Sequence, residues 1–221
     1  MFKFDTHVHT SEVSPCGHVG AVETVKLYLN AGYSGLCITD HYKGNIFGKL
    51  SCNSWEDKMN WYLQGYRLAK EYGAKNGFDV LIAPELTLDG STNDLLLFGA
   101  TEEFLFDYPE LYKYDIGKLK GIAQKKDILI FQAHPFRPRM TREDKSNIDG
   151  VEVVNGNPRH DSQNDLALEF ALQNNLLVSG GSDCHQTEDV GKSGIITKSK
   201  IKNNRDLLKA LRSGCIEVIQ A

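Results

Sequence analysis

Short apolar runs alternate with segments of helical spacing along this 221-residue chain, and that alternation limits its possible folds more than any other feature. The runs at 35–39 and 128–133 have the length of buried strands, whereas 19–31 and 162–174 repeat apolar residues at helical intervals. Strand and helix in turn, with short connections, favour parallel βα units. We therefore predict an α/β fold, a barrel or a doubly wound sheet, in one domain over residues 1–221.

The same periodicities predict the other elements. Residues 42–53 are polar and rich in glycine, so we expect a loop there, and we expect Gly180 and Gly181 to let the chain turn sharply. Ser162 should lie near the start of the helix at 162–174. The remaining predicted helices span 54–76, 102–107, 115–126 and 204–213, and the remaining strands span 2–6, 80–83, 94–99, 150–154, 176–179, 195–197 and 216–219.

Composition excludes several classes of protein. Hydrophobic residues make up 41% and charged residues 24%, as in soluble globular proteins, and the net charge of -4 gives no basic footprint for nucleic acid or membrane. The five cysteines, Cys16, Cys37, Cys52, Cys184 and Cys215, form no CxxC pair, which suits a reducing compartment. No secretory leader and no apolar run long enough to span a membrane is evident, so we expect a cytoplasmic protein with no membrane partner.

Histidines and carboxylates stand where five of the apolar runs end. His7 and His9 are two residues apart and so face the same side of a strand. The active site of a βα barrel lies at the carboxyl ends of its strands, where such side chains converge. Unrelated structural histidines have no reason to recur there. We therefore predict a metal site formed by His7, His9, His41, Glu85, His134, Asp183 and His185.

This set of ligands indicates the kind of ion. Imidazoles with carboxylates suit zinc, iron or manganese, and the absence of a clear thiolate argues against a structural zinc site. Seven ligands are too many for one four-coordinate ion, so we expect two or three divalent ions with a bridging carboxylate. Such a cluster holds a water or hydroxide, lowers its pKa and neutralises an oxyanion, which phosphoester hydrolysis requires.

The ordered motifs HxH, TDH, PE, HP and SDxH, between Asp5 and His185, resemble those of the polymerase and histidinol phosphatase (PHP) superfamily. The resemblance implies a distorted seven-stranded (β/α)7 barrel. It also implies a first ion held by His7, His9, Glu85 and Asp183, a second by His41, His185 and a residue of the loop after the first strand, and a third by Glu85 and His134.

Two ligands depart from the family pattern. Cys16-Gly17-His18 is similar to the Cys-Pro-His of histidinol-phosphatase-like members, although the loop is about three residues longer here, and we choose His18 as the loop ligand. Members of the family often carry a histidine where this chain has Asp94. Asp94 either replaces that imidazole as a metal ligand or is a turn residue after 91–93.

Arginines near the predicted strand ends are candidates for binding a substrate phosphate. Arg137 and Arg139 follow His134-Pro135, and Arg159 follows the strand at 150–154. A guanidinium binds phosphate through two parallel hydrogen bonds, although each of these arginines is also compatible with a solvated loop. We expect His160 not to be a ligand.

The leading hypothesis is a metal-dependent phosphoesterase in which a hydroxide bound to a di- or trinuclear site attacks phosphorus. Asp183, His185 and His134 are the predicted catalytic residues, with Asp183 or a metal-bound water handling the proton. We expect a small phosphorylated substrate, with nucleic acid only as a short or mononucleotide substrate. The alternatives are a histidinol-phosphate phosphatase of histidine biosynthesis, an amidohydrolase-like enzyme cleaving a C–N bond, and a non-catalytic metal-binding module. Whether the substrate is a monoester or a diester, and the oligomeric state, are left open.

Overall fold

Strands and helices alternate through residues 1–51 and 54–220, which the computed structural model describes. Most of the predicted strands are found within one or two residues of their expected ends. The strands are β1 (Phe2–Val8), β2 (Tyr33–Ile38), β3 (His41–Tyr42), β4 (Asp79–Ile82), β5 (Glu85–Thr87), β6 (Asp94–Phe98), β7 (Leu129–Gln132), β8 (Gly150–Asn155), β9 (Leu177–Gly181), β10 (Gly194–Thr197) and β11 (Glu217–Ile219).

Several helices begin at a polar side chain that accepts a backbone N–H of the first turn. Ser54 accepts from Asp57, Asp115 from Lys118 and Asn203 from Asp206, so each satisfies one of the free donors at a helix start. The helices are α1 (Ala21–Asn30), α2 (Gly44–Phe47), α3 (Trp55–Tyr62), α4 (Gln64–Lys75), α5 (Glu102–Asp107), α6 (Ile116–Lys125), α7 (Asn164–Asn174) and α8 (Asn204–Arg212).

Three local predictions differ from the structure. The expected loop at 42–53 contains α2, because Ile46 and Phe47 bury their side chains, and its residues Cys52 and Asn53 lie outside the described residues. The helix expected at 54–76 is divided at Leu63 into α3 and α4. The helix expected at 162–174 begins at Asn164, so Ser162 lies near its start as expected but does not cap it, because its hydroxyl accepts from Arg137 Nε at 3.1 Å.

The strands form two sheets, with orders β11-β10-β1-β2-β4 and β3-β5-β6-β7-β8-β9. β1, β2 and β4 are parallel, as are β7, β8 and β9, but β6 runs antiparallel to both β5 and β7, and β10 runs antiparallel to β1. The α/β class is therefore confirmed, but an entirely parallel arrangement is wrong. Closure into a seven-stranded barrel is not confirmed, because the ladders of the described residues form two separate sheets.

Both faces of the central strands are buried, as the apolar runs predict. Alternate residues of β6 show this, since Leu95 and Leu97 belong to one apolar cluster whereas Leu96 and Phe98 belong to another. The second cluster joins strands of both sheets to the apolar face of α8, through residues that include Phe4, Leu81, Leu96, Phe131, Leu207 and Leu211. The space between the sheets is therefore apolar at these positions, and the polar site described below lies further along the same strands.

No helix in the described part of the chain is long and apolar enough to cross a membrane.

Candidate metal centre

Glu85 lies at the centre of the polar cluster. It is the first residue of β5 and is almost completely buried. Its Oε1 lies 3.3 Å from His7 Nε2 and 3.1 Å from His134 Nε2. Its Oε2 lies 3.5 Å from His9 Nε2 and 2.6 Å from His41 Nδ1. One carboxylate therefore faces four imidazoles, which is the arrangement expected of a bridging ligand.

The four side chains predicted for the first ion lie together. His7 Nε2 and His9 Nε2 are 3.1 Å apart, and each lies 3.3 Å from Asp183 Oδ1. β1 positions the two histidines, and the segment after β9 positions Asp183, where a bridge between Val8 and Cys184 joins the two chain segments. The structure thus brings the predicted set of His7, His9, Glu85 and Asp183 within reach of one ion.

The second and third sets flank the first. His9, His41 and His185 offer nitrogen atoms within 4.8 Å of one another, as do the ligand atoms of Glu85, Asp94 and His134. The parallel ladder between β3 and β5 pairs His41 directly with Glu85, which explains their proximity.

Asp94 is the first residue of β6. Because β6 runs antiparallel to β5, Asp94 lies beside Thr87, the last residue of β5, at the end of the sheet that carries the cluster. Thr87 pairs with Asp94 in the ladder and donates its hydroxyl hydrogen bond to Asp94 Oδ1. Asp94 Oδ2 lies 4.0 Å from His134 Nε2.

Hydrogen bonds on the outer side of the cluster orient two of the imidazoles. His7 Nδ1 lies 2.9 Å from Glu152 Oε1, and His9 Nδ1 lies 3.0 Å from Ser14 Oγ. The Ser14 hydroxyl donates to Asp40 at 2.7 Å, so its oxygen is left to accept from His9. With each Nδ1 carrying a proton, both Nε2 atoms present lone pairs to the inside, as metal ligands do.

The charges of the cluster are strongly coupled in the absence of an ion. Burial lowers the pKa of His7, but the carboxylates of Glu152, Asp183 and Glu85 outweigh it and leave that pKa well above its ordinary value. Burial also lowers the pKa of His41, but the charge of Glu85 outweighs it and raises that pKa to about 10. Burial dominates at His9 and lowers its pKa to about 3.

The two carboxylates respond in the opposite sense. Burial raises the pKa of Glu85, but the charges of His41 and His7 outweigh it and hold that pKa well below its ordinary value. Burial also raises the pKa of Asp183, but His7, His9 and Arg137 outweigh it and hold that pKa well below its ordinary value. Both groups are therefore ionised at neutral pH and available as ligands.

Two of the candidate ligands adopt backbone conformations that are uncommon for residues other than glycine. His134 has φ of 30° and Asp183 has φ of 49°. Such conformations are unfavourable and persist where the surrounding structure enforces them, often at functional sites. Here Glu152 Oε2 accepts the backbone N–H of His134, and Asn157 Nδ2 donates to the backbone carbonyl of Asp183.

The glycine pair Gly180 and Gly181 does not form the sharp turn that we expected, because both residues belong to β9. Gly181 packs directly against β1, where an added Cβ would collide with Cβ of His7. The missing side chain lets the two strands approach closely enough for Asp183 to reach His7.

The loop after β1 places Cys16, not His18, beside the imidazoles. Cys16 Sγ lies 3.2 Å from His41 Nε2 and is partly buried, whereas the His18 side chain is exposed. Burial raises the pKa of Cys16, but hydrogen bonds with His185 and His41 outweigh it and lower that pKa to about 6.

A cavity of about 330 Å³ opens onto the cluster. Among the described residues, its lining contains no lysine, and it includes the exposed histidines His18 and His160 as well as three histidines of the cluster. It is lined by Cys16, His18, His41, Glu85, Asp94, His134, Arg137, Met140, Asn157, Arg159, His160, Asp183, His185 and Gln186.

The three predicted phosphate-binding arginines lie in different environments. Arg137 Nη2 donates to Asp183 Oδ2 and to Asn155 Oδ1, each at 2.6 Å, so the guanidinium lies directly beside the cluster. Arg159 forms a two-pronged ion pair with Asp189, whose Oδ2 also accepts the backbone N–H of His185. Arg139 is exposed and does not line the cavity.

Sequence reasoning missed three groups that shape the site, namely Glu152, Ser14 and Cys16. Glu152 is fully buried in the middle of the apolar run of β8, and a charged residue in such a run was the available signal. Ser14 carries no comparable signal.

Buried atoms without hydrogen bonds fit the binding of cations. His41 Nδ1 and Glu85 Oε2 are both buried and lack a hydrogen-bond partner among the described residues, although they are only 2.6 Å apart. Unsatisfied buried polar atoms are rare in folded proteins. Once the proton of His41 is displaced, both atoms are acceptors directed at one position. A shared divalent ion would satisfy them, so the residues present fit the predicted metals.

Comparisons with known proteins agree with this geometry. A family model described as PHP-associated matches residues 161–216, and no curated protein matches the chain. A solved two-domain protein from Bacteroides vulgatus, described as containing a predicted PHP-like metal-dependent phosphoesterase, is 20% identical with a TM-score of 0.70; the alignment covers 99% of this chain and 64% of that one.

Two further solved structures share the fold. PsfC from Pseudomonas syringae is 17% identical, with a TM-score of 0.73 and coverage of 100% of this chain and 91% of that one. An amidohydrolase from Chromobacterium violaceum, solved with bound sulfate and no metal, is 17% identical, with a TM-score of 0.56 and coverage of 97% of both chains.

Fold and site together define a mixed α/β protein with clustered histidines and carboxylates that could bind metal ions. The family model matches residues 161–216, and the solved structures share the fold over almost the whole chain. This chain is therefore similar to PHP-like proteins in its fold and in that segment.

Proposed function

We propose that this protein is a metal-dependent phosphoesterase that hydrolyses a small phosphate ester. The observation that carries the proposal is the position of Glu85, whose two oxygens face four imidazoles. Asp183 lies against the Nε2 atoms of two of these, His7 and His9. In this proposal His7, His9, Glu85 and Asp183 hold one ion, His41 and His185 contribute to a second, and Glu85, Asp94 and His134 hold a third.

The bound ions would supply an activated water and would neutralise charge on the phosphoryl oxygens. The protein's own residues orient the reactants. Arg137 holds Asp183 and lies in the cavity wall, where its guanidinium can also face a phosphate oxygen. We assign proton transfer to the ionised Asp183 beside it or to a metal-bound water.

The cavity favours a small anionic substrate. Its volume of about 330 Å³ is at the lower end of ligand pockets, and Arg137 and Arg159 are part of its lining. We therefore propose a phosphorylated metabolite or a short nucleotide as substrate rather than a long nucleic acid.

The test is hydrolysis by protein freed of metal with a chelator and then supplied with Zn²⁺, Fe²⁺ or Mn²⁺ separately. Substrates are p-nitrophenyl phosphate, bis(p-nitrophenyl) phosphate and histidinol phosphate, which separate monoesterase, diesterase and histidinol-phosphatase activities. We expect hydrolysis only with metal, and expect Glu85→Gln to abolish it. The matched control is Glu169→Gln, an exposed glutamate on α7. Activity that survives in Glu85→Gln would refute the proposal.

A second candidate is hydrolysis of a C–N bond, favoured by the fold shared with the Chromobacterium amidohydrolase. Such sites usually contain a bridging lysine, and no lysine lines this cavity in the described part of the chain. Release of ammonia or amine from a panel of amides and ureides, with no phosphate release from the esters, would favour this candidate.

We propose further that the two sheets are parts of a distorted seven-stranded barrel. The Val8–Cys184 bridge connects β1 to the segment after β9, and backbone N–H groups of Ala83 and Glu85 donate to carbonyls of Ile38 and Asp40 where β4 leads into β5. Counting β4 and β5 as one strand gives the order β1, β2, β4/β5, β6, β7, β8, β9. An experimental structure in which β1 and β9 separate would contradict this arrangement.

A further inference from the structure

Cys16 is held in place beside the histidines of the second predicted ion position. The loop that carries it folds back on itself, since the backbone N–H of Gly17 donates to Ser14 and that of His18 donates to His185 at 2.7 Å. Gly17 packs so closely on the carbonyl of Thr10 that an added Cβ would force the loop to move. The loop is therefore fixed at both sides of Cys16.

The neighbours of the sulfur are metal-binding groups. Sγ lies 3.2 Å from His41 Nε2, and Cys16 lines the cavity together with His41 and His185. The three imidazoles of His9, His41 and His185 lie close enough to share one ion. Cys16 is the described cysteine that lies in this cavity, because Cys37 and Cys184 are buried elsewhere and Cys215 is exposed on another face.

His18 is placed less favourably for the same task. Its side chain is exposed, and in the described part of the chain its imidazole makes no hydrogen bond to the other histidines, whereas the Cys16 sulfur lies 3.2 Å from His41 Nε2. Its contribution to the fold is the backbone hydrogen bond to His185.

We propose that Cys16 provides a thiolate ligand to the second ion, in the position that the sequence comparison gave to His18. The proposal rests on the metal site of the proposed function and makes that site more specific. A thiolate with two or three imidazoles is a soft donor set that suits Zn²⁺ or Fe²⁺ better than Mn²⁺ or Mg²⁺. The second position would then select its metal through a soft sulfur donor. The third position, with the carboxylates of Glu85 and Asp94, would offer harder oxygen donors.

Cobalt substitution tests the proposal, because a Co²⁺–thiolate bond gives an intense charge-transfer absorption band in the near ultraviolet that Co²⁺ bound to nitrogen and oxygen lacks. The metal-free protein is titrated with Co²⁺, and absorbance and bound metal are measured. We expect the band in the wild type and in His18→Asn, and its loss in Cys16→Ser together with loss of one bound ion per chain. Cys215→Ser is the control for removal of a thiol.

A second measurement needs no substitution and covers the case in which Cys16→Ser fails to fold. Metal-free and metal-loaded wild-type protein are treated with iodoacetamide, and alkylation of each cysteine is followed by mass spectrometry. We expect bound metal to slow alkylation of Cys16 roughly tenfold or more, because the free thiolate is the nucleophile. The exposed Cys215 should react equally in both samples.

The outcomes separate this proposal from the proposed function. Wild-type protein that binds Co²⁺ without the band, or unprotected Cys16 in the loaded protein, would overturn the thiolate ligand while leaving the metal site intact. Loss of an ion in His18→Asn but not in Cys16→Ser would restore His18 to that position. Protein that binds no metal would overturn both proposals.

Discussion

Hydrogen-bond partners at Nδ1 orient the buried imidazoles His7 and His9 and contribute to the difference between their pKa values. The pKa of His7 lies above the ordinary value for histidine and that of His9 lies below it, although the two residues are only two positions apart along the chain. Burial lowers both pKa values, but at His7 it is outweighed by carboxylates, chiefly that of Glu152 behind the ring. His9 has only the uncharged hydroxyl of Ser14 behind it, and the charge of His41 lowers its pKa further. A carboxylate behind an imidazole also makes it a more basic ligand.

Glu152→Gln tests this orienting role. The amide keeps the shape of the side chain but removes the charge that faces His7, so we expect metal affinity to fall by about 10–100-fold. Affinity is measured by competition with a chromogenic chelator, and circular dichroism reports the fold. Glu169→Gln on α7 is the control. Unchanged affinity in a folded Glu152→Gln protein would show that Glu152 has only a structural role.

Metal binding should depend on pH through His7 and His41. The pKa of His41 is about 10 and that of His7 is also raised, so both are protonated near neutral pH in the metal-free protein. An entering ion must displace these protons, so we expect the apparent affinity to rise by up to about tenfold per pH unit for each proton displaced. Calorimetry in buffers of different ionisation enthalpy should detect proton release; binding without release would contradict the assigned charges.

The same shift has the opposite effect on the stability of the metal-free protein. A raised histidine pKa contributes stability that is complete below the ordinary value of 6.5 and is lost as pH rises towards about 10. We therefore expect the metal-free protein to become less stable to urea over that range, apart from other titrating groups. His41→Gln should show a weaker dependence on pH.

At the scale of elements, the spacing of β1 and β9 determines where the cluster can form. Thr6 donates its hydroxyl hydrogen bond to the carbonyl of Gly180, and Gly181 lies directly against His7. The side chains of Asp183 and His7 meet because the strands that carry them can approach without an intervening Cβ.

Gly181→Ala should therefore disturb the fold and the site together. The new methyl group would force β9 away from β1, and we expect a loss of about 1–3 kcal/mol in the free energy of unfolding, together with weaker metal binding. Gly121→Ala in α6 is the matched control, because its added Cβ meets no neighbouring atom and alanine favours a helix by about 0.5–1 kcal/mol. Urea unfolding of both metal-free variants measures the difference.

The elements were largely predictable from the sequence because period-2 and period-3.6 patterns report burial directly. The pairing of strands was not, since the apolar run of β6 reads the same whether it runs parallel or antiparallel to β5 and β7. The division of the helix at Leu63 was equally invisible, because Leu63 continues the apolar pattern and is itself buried.

The candidate site was predictable for a similar reason. Histidines and carboxylates at the ends of apolar runs converge once those runs form sheets, and the predicted set from His7 to His185 does so. The choice between Cys16 and His18 was beyond the sequence, because it depends on which side chain of a tightly folded loop turns inward. Glu152 was missed because the pattern of β8 alone does not show which partner a buried carboxylate meets.

At the scale of the whole molecule, apolar packing and the polar cluster occupy different parts of the same interior. Phe4 and Phe131 lie with α8 in one cluster, whereas His7 and His134, three residues later on the same chain segments, lie in the metal centre. The buried, unsatisfied polar atoms of that centre oppose folding unless ions are bound, so folding and metal binding should be coupled.

Metal ions should therefore raise the thermal stability of the protein. At a free ion concentration about 100-fold above the dissociation constant, binding adds about 2.7 kcal/mol per site, which for a chain of this size raises Tm by about 5–10 °C. Differential scanning fluorimetry with stepwise additions of Zn²⁺, Fe²⁺ or Mn²⁺ measures the shift, with Glu85→Gln as the control. An unchanged Tm in a protein that demonstrably binds the ions would contradict the coupling.

The position of β1 between distant parts of the chain has a consequence for biosynthesis. Its ladder with β2 can form early, but Phe2 pairs with Thr197 on its other side, and Val8 joins Cys184. While the ribosome is still adding the residues between, His7 and His9 have left the exit tunnel without Asp183 and His185. A nascent chain should therefore leave these imidazoles open to free cellular ions until residue 197 emerges, and stable loading with the correct metal becomes a late event in synthesis.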